Sequence, residues 1–420
     1  MSKRKQKRGF RYHSKKVIGW LHLWLGLVAG IVVLISMLGA AVFVWEKELT
    51  NWYYSDLVYT KDVKTTTLPP SKLFAAVEAA YPGKKFTSMS GKNEPGKNWE
   101  FRSFKSAKKR GWTWTSGISY YYVVFVNPYT GQVVGHIDKK KDWITLSRFL
   151  HQNLLLKSSV GTQIVGAAAL TMVFLALSGL VLWWPKNRKM LRQRLTIKWK
   201  ARFKRVNWDI HSVGGFYTYL FLLFFAATGL TWSYKWWSNG IYRLLGNHPK
   251  KVFYRPTSPQ LDNWERSNII DLAFADAIRR QPKWKRISFR TPRAGRKKGV
   301  ISASVYYDSS HSWWETSDQY YYHPETGKIH YSRPHDKKLL GEKWRNSNYS
   351  LHTGSIYGLP TKIIAFISAL FFATLPVSGF LIWWGRKKKK KRKPIQKNGA
   401  KKPRSKRPVV KRVATTRNDE

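Results

Sequence analysis

Four stretches of the chain are apolar over a length that would cross a bilayer: residues 18–45, 161–184, 208–234 and 359–384. A helix needs about 20 residues at 1.5 Å rise to do so. The first two stretches contain no Asp, Glu, Lys or Arg, the third carries Asp209 at its edge, and the fourth has Lys362 near its start. Residues 18–45 are too long for a signal-peptide core and lack a small-residue cleavage site, so they read as a retained span. Between the spans lie two long segments, 46–160 and 235–358, with a different rhythm. Helical apolar spacing at 71–80 (Leu73, Phe74, Val77, Ala80) stops at Tyr81-Pro82-Gly83, and the helix expected at 269–280 stops at Gln281-Pro282. Strand-like runs follow at 86–89, 99–104, 120–126 and 132–137, and again at 286–290, 300–307, 319–323 and 328–332. One helix on an antiparallel sheet predicts a small α+β domain in each segment.

The two segments also share words. Val126-Asn127-Pro128-Tyr129-Thr130-Gly131 returns as Tyr322-His323-Pro324-Glu325-Thr326-Gly327, a hairpin in which Pro presets the turn and Gly allows positive φ. Each copy is followed by Leu-His (Leu150-His151, Leu351-His352). Each then runs into a span ending Ser-Gly-x-x-x-Trp-Trp, through Ser178-Gly179 and through Ser378-Gly379. Upstream, each copy opens with a span in which Gly follows His by four residues: His22 with Gly26, His211 with Gly215. The chain therefore reads as a tandem duplication: an α-helical membrane protein with four transmembrane helices in two repeats, each repeat carrying one extracytoplasmic domain.

Charge sets the expected orientation. Residues 1–17 hold eight Lys/Arg and 185–207 hold ten, with no acid in either, and the tail 385–420 holds seventeen against Asp419 and Glu420. These segments fall on one side of a four-span chain, which places both termini in the cytoplasm and 46–160 and 235–358 outside. The tail has too few apolar residues to bury and is expected to be disordered. Of 76 basic and 22 acidic residues, the remainder leaves about +21 on the outer segments and spans. That surplus fits a solvated basic surface or an attraction for anionic ligands and lipid head groups. Nucleic acid is a poor partner for basic runs that flank spans. With no cysteine, disulfides, thiolate clusters and covalent haem attachment through Cys-x-x-Cys-His are excluded.

The order helix, strands and Thr-Gly hairpin resembles the PepSY domain. With its flanking spans the chain, over about 12–385, is similar to the PepSY-associated transmembrane family. The resemblance is carried by the repeated hairpin together with Leu-His before the second span of each half. The usual Asp at the hairpin start is replaced by Asn127 and His323. The resemblance implies an iron-regulated protein of the bacterial inner membrane, similar to haem-containing reductases of ferric siderophores.

Histidine inside a span is a functional candidate by default. Lys16 to His22 and Arg205 to His211 are both six residues, so both imidazoles sit about 9 Å from the cytoplasmic boundary. If the halves pack together, His22 faces His211, and two neutral imidazoles across a flat gap make axial ligation of a b-type haem. Gly26, Gly30, Gly214 and Gly215 leave room for a porphyrin, and Lys15, Lys16 and Arg205 are candidates for its propionates. His151 and His352 form a second expected pair at the outer head-group level, with Arg148 and Arg345 nearby. A short helix carrying His352, a break at Gly354 to Gly358, and Pro360 in the first turn of the last span are expected there. The competing reading of all four is interfacial His capped by backbone carbonyls or packed beside Trp, with another metal or a proton relay as further alternatives. His311, His323, His330 and His335 read as exposed surface rather than a transient ferric site. The Trp183-Trp184 and Trp383-Trp384 pairs read as interfacial anchors, and Tyr120–Tyr122 and Tyr320–Tyr322 as buried strand faces.

There is no Gly-x-Gly-x-x-Gly or Walker sequence and no room for a flavin or nicotinamide domain. The expectation is a protein with two haem b groups that moves electrons from a membrane quinol or separate donor protein to a ferric siderophore or other ferric chelate outside. The alternative from a different class is a membrane-anchored binding or regulatory module for a peptidase, peptide or lipid, without redox activity. A transporter role is weaker, because nothing resembles a broken-helix substrate site.

Overall fold

The computed structural model describes residues 2–108, 111–252, 256, 258–261, 268–292, 298–308 and 312–391. His311 and residues 392–420 of the basic tail therefore lie outside the described residues. In chain order the helices are α1 (Ser2–Phe43), α2 (Glu46–Tyr53), α3 (Ser55–Val58), α4 (Pro70–Ala80), α5 (Trp143–Asn153), α6 (Ser158–Trp183) and α7 (Arg188–Arg194). They continue with α8 (Phe203–Asp209), a wide π turn at Ile210–Gly214, α9 (Gly215–Ser233), α10 (Lys235–Leu244), α11 (Pro249–Val252), α12 (Ile269–Arg280), α13 (Leu340–His352) and α14 (Leu359–Lys391). The strands are β1 (Phe86–Lys92), β2 (Trp99–Ser106), β3 (Ile118–Val126), β4 (Val133–Asp138), β5 (Trp284–Arg290), β6 (Ile301–Tyr307), β7 (Ser317–Tyr322) and β8 (Ile329–Arg333).

Four helical segments are long and apolar enough to cross a membrane: His13–Phe43, Ser158–Trp183, Phe203–Ser233 and Leu359–Lys387. They are the four spans expected from the hydropathy pattern, with shifted ends. The first helix already includes the basic segment before residue 18, and the last continues through Lys391 rather than stopping at 384. Lys and Arg are good helix formers, so a basic run adjoining a span simply propagates it. In the bundle α1 packs against α6 and α14, and α6 against α9. Glycine lets α1 meet α14 closely: a Cβ on Gly30 would stand 2.9 Å from the Cβ of Pro376.

Each outer helix is where its apolar spacing puts it. α4 begins with Pro70 in its first turn, and Leu73, Phe74 and Val77 along one face are fully buried. α12 buries Ile270, Ala273, Phe274 and Ala277 in the same way. The hairpins form as predicted. Asn127 Oδ1 accepts from the backbone N–H of Tyr129 (2.9 Å) and Thr130 (3.3 Å), and Gly131 takes φ +79°. In the second hairpin His323 Nδ1 accepts from Glu325 N–H at 3.3 Å, and Gly327 takes φ +66°.

The sheet corrects one expectation. Residues 46–160 and 235–358 do not build separate sheets but one antiparallel sheet of eight strands, in the order β4-β3-β2-β1-β5-β6-β7-β8. β1 and β5 meet at the seam, with Met89 opposite Phe289 and Ser90 opposite Ser288. Alone, each four-stranded sheet would expose an unpaired edge at β1 or β5, and joining them removes both edges. α4 and α12 lie on the same face and share one core, in which Phe74 and Phe274 sit with Phe101 and Phe289. Ser71 ties the two helices by donating from its N–H (2.8 Å) and hydroxyl (2.5 Å) to the Asp271 carboxylate.

Candidate functional site

The four histidines come together in two pairs, each with one member from each half of the chain. His22 on α1 and His211 in the π turn between α8 and α9 have ring centroids 6.4 Å apart at an interplanar angle of 88°. His151 on α5 and His352 at the end of α13 have centroids 5.9 Å apart at 33°. The π turn is an extra-wide turn of the kind often found at functional positions, and here it carries the His211 ring.

Every one of these rings is held at Nδ1 by a hydroxyl from a span of its own half, each at 2.9 Å. The partners are Ser178 for His22, Ser378 for His211, Ser36 for His151 and Thr228 for His352. The hydroxyl protons are used elsewhere. Ser178 donates to Leu175 O (3.3 Å), Ser378 to Leu375 O (3.0 Å), Thr228 to Phe224 O (2.9 Å) and Ser36 to His151 O (2.9 Å). A hydroxyl has one proton, so each oxygen accepts from the imidazole, and Nδ1 carries the hydrogen. His151 Nδ1 also faces the Ser36 carbonyl at 3.1 Å, which can only accept. In all four rings these bonds occupy Nδ1 and leave Nε2 as the nitrogen that could meet a metal.

Small residues make space for the rings. A Cβ on Gly179 would lie 3.3 Å from His22 Cε1, one on Gly379 3.3 Å from His211 Cε1, and one on Gly229 3.1 Å from His352 Cε1. The repeated Ser-Gly pair thus has two jobs, the serine holding one imidazole and the glycine leaving room for it. Thr228-Gly229 does the same for His352. On α1, His22 and Ser36 are fourteen residues apart, which separates the two histidine pairs by about 21 Å along that helix.

The inner pair opens onto a cavity of about 480 Å³ lined by both histidines, by Gly19, Gly26 and Gly30, and by Trp183 and Trp208. Arg194 and Arg386 also reach it. The sequence pointed to other cations here. Lys15 and Lys16 are exposed and do not line this cavity. Arg205 is engaged with Asp209 at 2.9 Å, and buried Asp209 also accepts from Lys198 N–H at 3.2 Å. Arg194 and Arg386 were legible only as basic residues following each Trp-Trp. Trp183 is a correction to the reading of both pairs as interfacial anchors: it is buried, stacks on Phe216 at 3.7 Å and donates to Arg194 O at 3.2 Å. Trp184, 62% exposed, keeps the anchoring position.

The outer pair is packed by aromatic side chains. Trp232 (5.3 Å) and Phe225 (6.0 Å) stand edge-on to His352. Arg148, one turn before His151, lies over Phe43 at 5.5 Å, and its Nε has no hydrogen-bond partner among the described residues. Arg345 donates to Val252 O at 3.3 Å. Burial lowers His151 from its ordinary range and holds His352 down at about 3, the neighbouring imidazole adding to the effect on His352. Both rings are therefore neutral at pH 7.

α13 ends at His352, followed by Gly354 (φ +71°), a single 3₁₀ turn at Ser355–Tyr357, Gly358 (φ +72°) and α14 with Pro360 in its first turn. That break is the one expected from the sequence. His335 departs from the expectation of surface histidine: it is buried, with Nε2 3.1 Å from Ser312 Oγ. Among the described residues no group of three or more His, Cys, Asp or Glu is gathered as a metal site. Of the tyrosine runs expected as buried strand faces, Tyr120, Tyr320 and Tyr322 are buried, whereas Tyr121, Tyr122 and Tyr321 are half-buried.

A comparison with curated proteins found no match. The model of the family described as the PepSY-associated TM region matches residues 19–386, from within the first span to within the last, and the chain belongs to that family.

Proposed function

We propose that this protein is a di-haem electron-transfer protein of the bacterial inner membrane that reduces a ferric siderophore or similar ferric chelate on the outer side. The observation that carries the reading is the pair of imidazole pairs with their Nδ1 atoms already committed. Metal bonds to imidazole nitrogen are about 2.0–2.1 Å long, so one metal between two such rings sets their centroids roughly 6 Å apart. The separations of 6.4 and 5.9 Å fit that requirement. The chemistry of the donor set fits as well, since neutral imidazole is a haem ligand that needs no cysteine.

His22 and His211 would hold one haem b and His151 and His352 the other, and each group when bound supplies one-electron transfer. The residues around them position and insulate. Ser178, Ser378, Ser36 and Thr228 fix the tautomer and the ring orientation, and Arg194 and Arg386 supply positive charge for carboxylates at the inner cavity. With both termini cytoplasmic, the donor is a quinol or a separate protein, and the acceptor is met on the side of the eight-stranded sheet. Iron leaves a chelate of hard oxygen ligands more readily as Fe(II) than as Fe(III). A pyridine haemochrome assay on protein expressed with ample haem tests the reading. Two b-type haems per chain are expected, and a colourless protein would sink it.

A further inference from the structure

Among the described residues of 46–160 and 235–358, four tryptophans are more than half exposed: Trp52 (73%), Trp112 (78%), Trp236 (60%) and Trp313 (79%). Each lies at the sheet-side end of a different span. Trp52 is on α2, which closely follows α1, and Trp236 comes just past the end of α9 at Ser233. Trp112 and Trp313 are far from any span in sequence, in the β2–β3 and β6–β7 connections, and only the fold brings them to the ends of α6 and α14.

These two connections hold the same place in the two halves and are fastened alike. Trp112 O accepts from the Lys157 N–H and Trp114 N–H donates to Leu155 O, both at 2.7 Å, so the loop pairs with the chain immediately before α6. Trp313 O accepts from the Tyr357 hydroxyl at 2.9 Å, immediately before α14. In both loops a second tryptophan turns inward. Buried Trp114 stacks on Phe149 of α5, with ring centroids 3.7 Å apart, and Trp314 stands edge-on to Trp344 of α13 at 6.3 Å. Glu315 N–H adds a bond to Ser347 Oγ of α13 at 2.9 Å. Each loop therefore joins a span end to the helix that carries His151 or His352.

A single exposed apolar side chain is ordinary on a solvated surface. Four indoles confined to four span ends are a different arrangement. Trp suits the head-group layer of a bilayer, because its ring is apolar and its one N–H finds an acceptor there. The spans fix where that layer begins. α6 starts at Ser158, next to the Lys157 amide that holds Trp112, and α14 starts at Leu359, close to the Tyr357 that holds Trp313.

We propose that the β2–β3 and β6–β7 loops are seated in the head-group layer of the leaflet beneath the sheet, with Trp112 and Trp313 entering it. The partner is the lipid surface itself, and the two loops hold the eight-stranded sheet down on it at two points related by the repeat. Through Trp114 and Trp314 the same contact steadies α5 and α13 relative to the bilayer. This seat does not depend on what the histidine pairs bind.

The chain contains no cysteine, so a cysteine placed at one position takes a label there alone. The test uses the full-length protein in nanodiscs with an environment-sensitive fluorophore on Trp112→Cys or Trp313→Cys. Both replace largely exposed side chains, so little packing is lost. Quenching is measured with nitroxide on the lipid head group and with aqueous iodide, and the ratio of the two is read within each labelled protein, whatever its haem content. The reference is Thr130→Cys, exposed in the hairpin beyond β3, a nine-residue strand that spans about 30 Å from the Trp112 loop. Head-group nitroxide is expected to quench both loop labels several-fold more strongly than the reference, and iodide to quench the reference more strongly than either loop. Loop labels that respond to lipid nitroxide no more than the reference does, while iodide reaches them freely, overturn the proposal and leave these tryptophans as contacts for another protein. Lipid quenching at one loop alone overturns the two-point seat.

Discussion

The inner and outer histidine pairs have similar centroid separations, 6.4 and 5.9 Å, but are built by opposite means. The inner rings sit within long spans, one of them on a π turn, and open onto a cavity with glycine walls and two arginines. The outer rings sit on short helices outside the spans, packed by aromatic side chains and buried enough to be held neutral. The inner pair is positioned by helix continuity and the outer pair by helix interruption. Leu154 and Leu155 take φ +56° and +58° just after α5, and Gly354 and Gly358 make the corresponding turn after α13. Leucine in the left-handed region costs about 1–2 kcal/mol per residue, so the first half carries strain at this turn that the second half avoids with glycine. That difference makes the outer pair the one whose geometry depends on local backbone conformation.

The largest effect that separates the pairs comes from the ligands themselves. His211→Ala is expected to lower haem content from two to one per chain, leaving the outer group, and His352→Ala to leave the inner one. Reduction of an external ferric chelate should be lost in both. Haemochrome quantitation with low-temperature absorption spectra distinguishes the survivors. If His22→Ala and His352→Ala deplete the same spectral species, the pairing across the two halves is wrong.

How much of this was legible in the chain differs by level. The spans, both outer helices and all eight strands follow from local periodicity, because a core face repeats every 3.6 residues and a buried strand face every two. The pairing of His22 with His211 and His151 with His352 was readable from matched positions in a repeated sequence. The hydroxyl partners were not. Ser178 and Ser378 stood inside a visible motif without a role, and Ser36 and Thr228 carried no signal, because one polar residue in a span looks alike whether it bonds back to its own helix or reaches a neighbour. The fused sheet was equally silent: β1 and β5 have the same alternation as any strand paired on both sides, and nothing in one half states that its edge meets the other.

A smaller change tests whether the outer pair depends on the break before the last span. At Gly354, φ is +71°, and an added Cβ would come within 2.3 Å of the Thr361 carbonyl oxygen and 2.9 Å of Ala365 Cβ. Gly354→Ala is therefore strained twice, by backbone conformation and by contact with backbone that cannot move aside. It is expected to displace the end of α13 and release the outer haem several-fold more readily, with the inner haem unchanged, as read by haem transfer to an excess of apo-acceptor protein. Gly240 on α10, where a Cβ meets nothing within 4 Å, provides the contrast: Gly240→Ala lies away from both histidine pairs and should leave both haems in place. Equal loss in the two variants would mean that the break has no special bearing on the outer ligands.

The smallest predicted effect concerns the hydroxyls, and it should differ between His22 of the inner pair and His151 of the outer one. His22 Nδ1 bonds Ser178 Oγ, whereas His151 Nδ1 has both Ser36 Oγ and the Ser36 carbonyl within reach. Ser178→Ala removes the side-chain partner of His22 and leaves its N–H without the bond that orients the ring. Losing such a partner typically weakens metal affinity by about 10–100-fold. Ser36→Ala leaves the carbonyl to accept from His151, so the loss there should be nearer the low end, about tenfold or less. The measurement is haem affinity by competition in each single variant, together with the midpoint potential of the haem affected. A larger loss in Ser36→Ala than in Ser178→Ala would reverse the assignment of which of these two rings, His22 or His151, relies on its hydroxyl and which on the backbone.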